Sequence, residues 1–236
     1  MSDLFDLAHI PQLGGKSLGV QIYKDLRESI ISLKLEPGKM IYENELAELL
    51  KVSRTPIREA IRLLVSEEFL EVLPQRGTRI TLISERKVAE ARFIREQLEA
   101  GAFRLAAKLW NESVSVSTET RLSELLDLQQ LAASKDDIAS FFMLDETFHQ
   151  TIMEVTGNTT LLQVINHMRA HINRIRFLAV KEFHQMDRVI AEHRELLDSI
   201  RNGDESLTAT RLLHHLSKLD DETPQLRLKY PHYFID

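Results

Sequence analysis

Four residues in the C-terminal part of the chain combine metal-binding side chains with inward-facing positions. Asp145 and His149 are four residues apart, on one helical face with Phe142 and Ile152. His193 shares a stripe with Val189, Leu196, Leu197 and Ile200, and His215 shares one with Leu212, Leu216 and Leu219. Its neighbour His214 falls with Arg211 and Lys218 on a polar face. His193 precedes Gly203, and His215 follows it, by comparable lengths of chain. At a rise of ~1.5 Å per residue the two imidazoles stand ~15 Å and ~18 Å from that turn, at similar heights in an antiparallel helical hairpin. One carboxylate and three imidazoles converging in a bundle core suit Zn²⁺, with nickel and manganese as alternatives. The chain has no cysteine, which excludes thiolate sites and disulfides. A lone inward histidine is more often a hydrogen-bonded core residue than a ligand, and spacing alone leaves both readings open.

A further inward cation is Arg95, beside the stripe of Ala91, Leu98, Ala102 and Leu105, with Glu99 one turn on. It reads either as an intrahelical ion pair with Glu99 or as an anchor for a ligand carboxylate, which a guanidinium matches with two parallel bonds. His167, His171, Asn173 and Arg174 lie beside a neighbouring apolar stripe and are expected at a pocket rim, partly exposed.

The second concentration of chemistry is basic. Between residues 51 and 62, Lys51, Arg54, Arg58 and Arg62 face only Glu59. The whole chain of 236 residues carries a net charge of −6, which argues against indiscriminate coating of nucleic acid. The acidic excess sits after residue 82, whereas residues 17–82 balance ten basic against ten acidic side chains. A local patch of this kind is what binding to a DNA groove needs. At the start of a helix, Ser53, Arg54, Thr55, Ile57 and Arg58 occupy the positions that reach base edges in a major groove. Further on, Gln75-Arg76-Gly77 forms a hairpin tip that can place Arg76 at the minor groove, with Gly77 permitting close backbone approach. The alternative reading, which the spacing favours less, is of solvated surface arginines on a small helical unit.

The elements that must position these groups follow from periodicity. Residues 1–16 read as a flexible tail without the basic start and apolar core of a signal peptide. One helix carries Val20, Ile22, Tyr23, Leu26, Ile30 and Ile31 and ends before Pro37-Gly38; a second spans Glu43 to Leu50; a third starts at Thr55 as N-cap, with Pro56 in its first turn. The period then changes to two, giving strands at Leu70–Val72 and Arg79–Leu82 around Pro74 to Thr78. Helices follow over 85–110, 117–134, 138–156, 160–179, 186–202 and 205–219, with breaks at Gly157-Asn158 and Asn202-Gly203-Asp204. The expected fold is mainly α. It comprises a tail (1–16), a winged helix-turn-helix DNA-binding domain (17–83) and an antiparallel all-helical bundle binding effector and metal (84–236). Hydrophobic residues make up 43% and charged residues 28%, as in ordinary globular chains, and no run is apolar enough to span a membrane. The cytoplasm is the expected compartment.

The stretch Ser53-Arg54-Thr55-Pro56-Ile57-Arg58-Glu59-Ala60-Ile61, then Pro74-Gln75-Arg76-Gly77, resembles the signature of the GntR family of regulators, as do Leu35-Glu36-Pro37-Gly38 and Glu45-Leu46-Ala47. The likeness covers residues 18–81. It implies DNA contacts by Arg54, Arg58 and Gly77, helped by Thr55 and Arg76. Asn44 stands where many relatives carry Arg, so one phosphate contact is weakened. Asp145-x-x-x-His149, Gly157-Asn158, Glu192-His193 and His215, with the tail Tyr230-Pro231-His232-Tyr233-Phe234, resemble the FCD domain of the FadR subfamily. That resemblance covers residues 85–234. It implies a metal held by Asp145, His149, His193 and His215, and its Arg-x-x-Leu-Glu pattern, here Arg95 to Glu99, favours the carboxylate-anchor reading.

The function expected is a bacterial metabolite-responsive transcription regulator, with repression as the expected sense. Its partners would be double-stranded operator DNA, a small carboxylate and a second copy of itself. Ser53, Arg54, Thr55, Arg58, Arg76 and Gly77 would bind DNA, and Arg95, Glu99 and Asn173 the effector. No catalytic role is expected. A metalloenzyme is the main rival, but diiron bundles use several Glu with Glu-x-x-His pairs, and this chain offers one carboxylate and three histidines. A constitutive architectural DNA protein is the second rival.

Overall fold

The computed structural model of the chain describes residues 18–236, with the side chains of residues 112–115 and 170 outside that description. The tail expected over residues 1–16 also lies outside it. The described residues form two compact units, residues 18–86 with 227–236 and residues 87–226.

In the first unit, helix α1 (Leu18–Ile31) packs on α3 (Arg54–Ser66), and α2 (Glu43–Leu50) packs on α3 as well. Ile22, Leu26 and Ile30 of α1, Leu46 of α2, and Ile57, Ile61 and Leu64 of α3 are buried. The helices approach closely where Gly19 meets α3. A Cβ there would lie 2.4 Å from Glu59 Oε2 and 3.4 Å from the Pro56 carbonyl. The strands are β1 (Met40–Ile41), β2 (Leu70–Leu73) and β3 (Gly77–Ile80), antiparallel in the order β1-β3-β2, with Leu70 opposite Ile80 and Leu73 opposite Gly77. The arrangement is the expected winged helix-turn-helix. Two local expectations change. Ser53, not Thr55, is the N-cap of α3, and its side chain makes no capping bond, so its exposed hydroxyl points to no helix amide. Ile57 is fully buried and belongs to the core rather than to the reading face.

The C-terminal residues depart from the expected domain division. Strand β4 (Ile83–Ser84) pairs in parallel with β5 (Phe234–Ile235), so residues 227–236 join the first unit instead of the helical domain. Phe234 and Tyr233 are buried there, and Arg227 pairs with Glu85. Burial, then the hydrogen bond to Glu36, raises the Tyr233 hydroxyl to about 12. The physical cause is apolar: the tail covers the strand that leads out of the wing.

The second unit is built from α4 (Glu85–Leu109), α5 (Glu112–Ser134), α6 (Ile138–Glu154), α7 (Thr159–Phe183), α8 (Met186–Arg201) and α9 (Glu205–Lys229), which start or end in the first unit at α4 and α9. Helix α5 packs on α6 and α8, and α6 on α7. Asp137 caps α6 by accepting from the Ser140 amide, and Asn158 caps α7 by accepting from the Leu161 amide. The turn between α8 and α9 holds Gly203 at φ +65°, a left-handed conformation suited to glycine. It joins two helices, as the flanking periodicity requires. Phe103, Leu122, Phe148, Ile152, Leu196, Ile200 and Leu212 form its main core. Helix α9 runs ten residues past the expected end, through Pro224.

Candidate metal centre and nucleic-acid interface

Asp145 and His149 project from one face of α6, one turn apart, while α8 supplies His193 and α9 supplies His215. All four are buried, and one ligand atom of each lies within 4.8 Å of those of the others. The three imidazole centroids are 5.0 to 5.3 Å apart. Neighbouring ligand atoms of a tetrahedral zinc ion stand about 3.4 Å apart, so the cluster needs a contraction of roughly 1 Å to share an ion.

Each imidazole is held from behind through Nδ1 by a different helix. His149 meets Glu99 Oε2 at 2.9 Å, His193 meets Gln129 Oε1 at 2.9 Å, and His215 meets Glu192 Oε2 at 2.6 Å. An acceptor at Nδ1 fixes the proton there and turns the Nε2 lone pair towards the centre. The Nε2 atoms of His149 and His193 are buried without a hydrogen-bond partner among the described residues. Burying such acceptors beside a carboxylate is costly unless a cation meets them. Burial, only partly opposed by Glu99, pushes His149 down to about 4, and burial followed by the neighbouring His215 holds His193 well below its usual value. Both rings are therefore neutral at ordinary pH, the form that binds metal. Burial alone would raise the Asp145 carboxyl, but Arg176, which donates to it, holds it ionised. The side chains present fit a divalent ion.

Beside this cluster lies a cavity of about 70 Å³, space for about five water-sized atoms. Asp145 and His215 are on its wall, together with Arg95, Arg92, Arg176 and Phe142. Arg95 is buried and donates from Nε to Glu99 Oε1 at 2.8 Å. Burial lowers it to about 10, against the pull of Glu99. Glu99 is off the cavity wall, gripped by Arg95, Arg169 and His149. Burial would raise its carboxyl, but Arg169 and Arg95 keep it well below the usual range. Asn173 is also off the wall and donates to Glu146. Asn173 and Arg174 are buried rather than at a rim, because α7 turns that face inward, whereas His167 is exposed. Sequence reasoning missed Gln129, Arg169 and Arg176. Gln129 stands beside a second amide, Gln130, in a leucine-rich segment, and its partner lies 64 residues away.

In the first unit, Ser53, Arg54, Thr55 and Arg58 are exposed along the start of α3. Arg54 and Arg58 both reach Glu43 Oε2, at 3.3 Å and 2.8 Å. Arg76 is exposed in the β2–β3 loop. Gly77 has φ +110°, and a Cβ there would lie 3.0 Å from the Tyr42 ring.

These two arrangements have known counterparts. Residues 18–80 match the model of the gntR family of bacterial regulatory proteins, and residues 90–218 match the FCD domain. An uncharacterized HTH-type transcriptional regulator from an unstable DNA locus of Streptomyces ambofaciens is 33% identical over 94% of this chain and 92% of its own length. The chain belongs to the GntR family. The gluconate operon transcriptional repressor of Bacillus subtilis is 25% identical over 92% of this chain and 89% of its own. The solved structure of E. coli McbR/YncC is similar in fold, with a TM-score of 0.76 and 24% identity, covering 92% of this chain and all of that one. This GntR-family chain is a DNA-binding transcription regulator and not an enzyme. Among its described residues, no helix is long and apolar enough to cross a membrane.

Proposed function

We propose that this regulator is a cytoplasmic homodimeric repressor whose helical unit holds a divalent metal, zinc first, and a small organic acid. Asp145, His149, His193 and His215 would hold the ion. When bound, the ion supplies a positive centre at the cavity wall that attracts a carboxylate. The observation that carries this reading is the pair of buried, unpartnered imidazole nitrogens facing one carboxylate.

The acid would lie between the ion and Arg95. A further buried donor on the cavity wall, Arg176 Nη1, has no hydrogen-bond partner among the described residues and suits the same carboxylate. Glu99 and Asn173 would act from behind, Glu99 by orienting Arg95 and His149. The gluconate operon regulated by one relative is in keeping with an acidic effector. In the first unit, Ser53, Arg54, Thr55 and Arg58 would enter the major groove, and Arg76 and Gly77 would follow the backbone or minor groove. Two copies would meet the two half-sites of a pseudo-palindromic operator.

Zinc titration by calorimetry, on chain purified without chelator and then stripped, tests the metal reading. The expected result is one ion per 27.2 kDa chain, with His193→Ala weakening binding at least about tenfold. A stripped wild-type chain that takes up no zinc, nickel or manganese sinks it.

A further inference from the structure

Glu43 occupies the first turn of α2 and sends one carboxylate oxygen to two arginines of the next helix. Arg58 uses Nε at 2.8 Å, and Arg54 uses Nη2 at 3.3 Å. The two guanidiniums are 54% exposed and Glu43 is 31% exposed. Ion pairs this open contribute little to stability. A carboxylate on a DNA-facing surface also repels phosphates, so its place beside both arginines calls for another reason.

The geometry supplies one. Binding through Nε takes the one guanidinium donor that lies beside the arginine stem rather than at its outer end. Among the described residues, no other hydrogen bond engages Arg58. Its two Nη groups therefore face outward as a fork, the donor pair that matches O6 and N7 of guanine. A long arginine side chain loses much rotamer freedom on binding, and a group that fixes it beforehand removes that loss from the binding step. Glu43 is itself fixed. Its helix begins on Tyr42 in an extended conformation and is anchored by fully buried Leu46. Burial would raise its carboxyl, but the hydrogen bonds from Arg58 and Arg54 hold it below the usual value, so it stays ionised.

We propose that Glu43 is a positioning residue for base reading, which aims the Nη fork of Arg58 at a guanine and restrains Arg54 alongside. The inference rests on the assignment of Arg58 to the DNA-reading face, and the test separates the two. The probe is a duplex selected from a random pool by the full-length wild-type chain, compared with copies in which each guanine is replaced in turn. Affinities are read by fluorescence anisotropy across a salt series, with thermal melts to check folding.

E43Q is expected to lose about tenfold of the discrimination against one guanine replacement. R58A should lose discrimination at the same position, and the E43Q/R58A pair should lose no more than R58A alone. E43D, which keeps the charge but withdraws the oxygen by one methylene, should lose discrimination with an unchanged salt slope. Equal tightening of every duplex by E43Q, with a steeper salt slope, would make Glu43 a mere counter-charge and overturn the proposal. Full discrimination in E43Q or E43D overturns it as well. If R58A discriminates like wild type, the reading of Arg58 fails first, and the role of Glu43 fails with it.

Discussion

At the residue scale, the helical unit keeps its histidines neutral at a cost that depends on pH. His149 drops from 6.5 to about 4 in the folded chain because it is buried. Between those values the unfolded chain takes a proton that the folded chain refuses. Its contribution to stability is therefore full above about pH 6.5 and falls away as the pH drops towards 4. Glu99, held well below 4.5 mainly by Arg169 and Arg95 against its burial, has the same sign and adds its loss below 4.5. Chelator-treated protein should thus lose on the order of 2 kcal/mol through His149 between about pH 7 and about pH 5. Urea midpoints at the two pH values measure it, and an unchanged midpoint refutes it. The four inward residues were legible in the sequence because a helix repeats its faces every 3.6 residues and the hairpin at Gly203 brings His193 and His215 level. Their Nδ1 partners were not, because a hydrogen bond between α5 and α8 leaves no periodic trace in either helix.

At the scale of elements, the same contrast separates helices from short strands. Long amphipathic helices advertise themselves, and α4 to α9 were legible to within about five residues except at the end of α9, where few apolar side chains mark the stripe. The two-residue strands β1, β4 and β5 carry too little alternation to be read, and β4 and β5 are joined across almost the whole second unit. Their pairing nevertheless seals one side of the first unit. Phe234 is 6% exposed and Ile83 is fully buried. Removing the ring leaves a cavity as well as lost transfer energy, about 3 kcal/mol for a buried Phe→Ala. Phe234→Ala should therefore destabilise the first unit by about that amount and speed hydrogen exchange at the Ile83 and Ser84 amides. Exchange there at the wild-type rate would mean that the tail does not hold the strand.

At the scale of the whole molecule, a DNA reader and the proposed acid-binding pocket in one chain do not by themselves make a switch. A bound acid changes operator affinity only by the ratio of its affinities for the DNA-binding and the released arrangements. Helix α4 starts at Glu85, directly after β4, so no loop intervenes between the wing's exit strand and the helix that carries Arg95 and Glu99. Helix α9 likewise carries His215 and runs on to the segment that ends in β5. Both helices carry residues of both units. The consequence is a reciprocity that thermodynamics enforces. If gluconate, as a trial acid, weakens binding to a duplex selected by this chain by some factor, that duplex must weaken gluconate binding to the zinc-loaded chain by the same factor. Coupling of this kind is about 5- to 150-fold in typical regulators. Anisotropy with and without acid gives one factor, and calorimetry with and without duplex gives the other. Stripping the metal should bring both towards one, since Asp145 and His215 lie on the cavity wall and, on the proposed reading, the ion is half of the acid's anchor. An acid that binds with equal affinity to the free and the DNA-bound chain would show that the pocket is occupied without control of the reader.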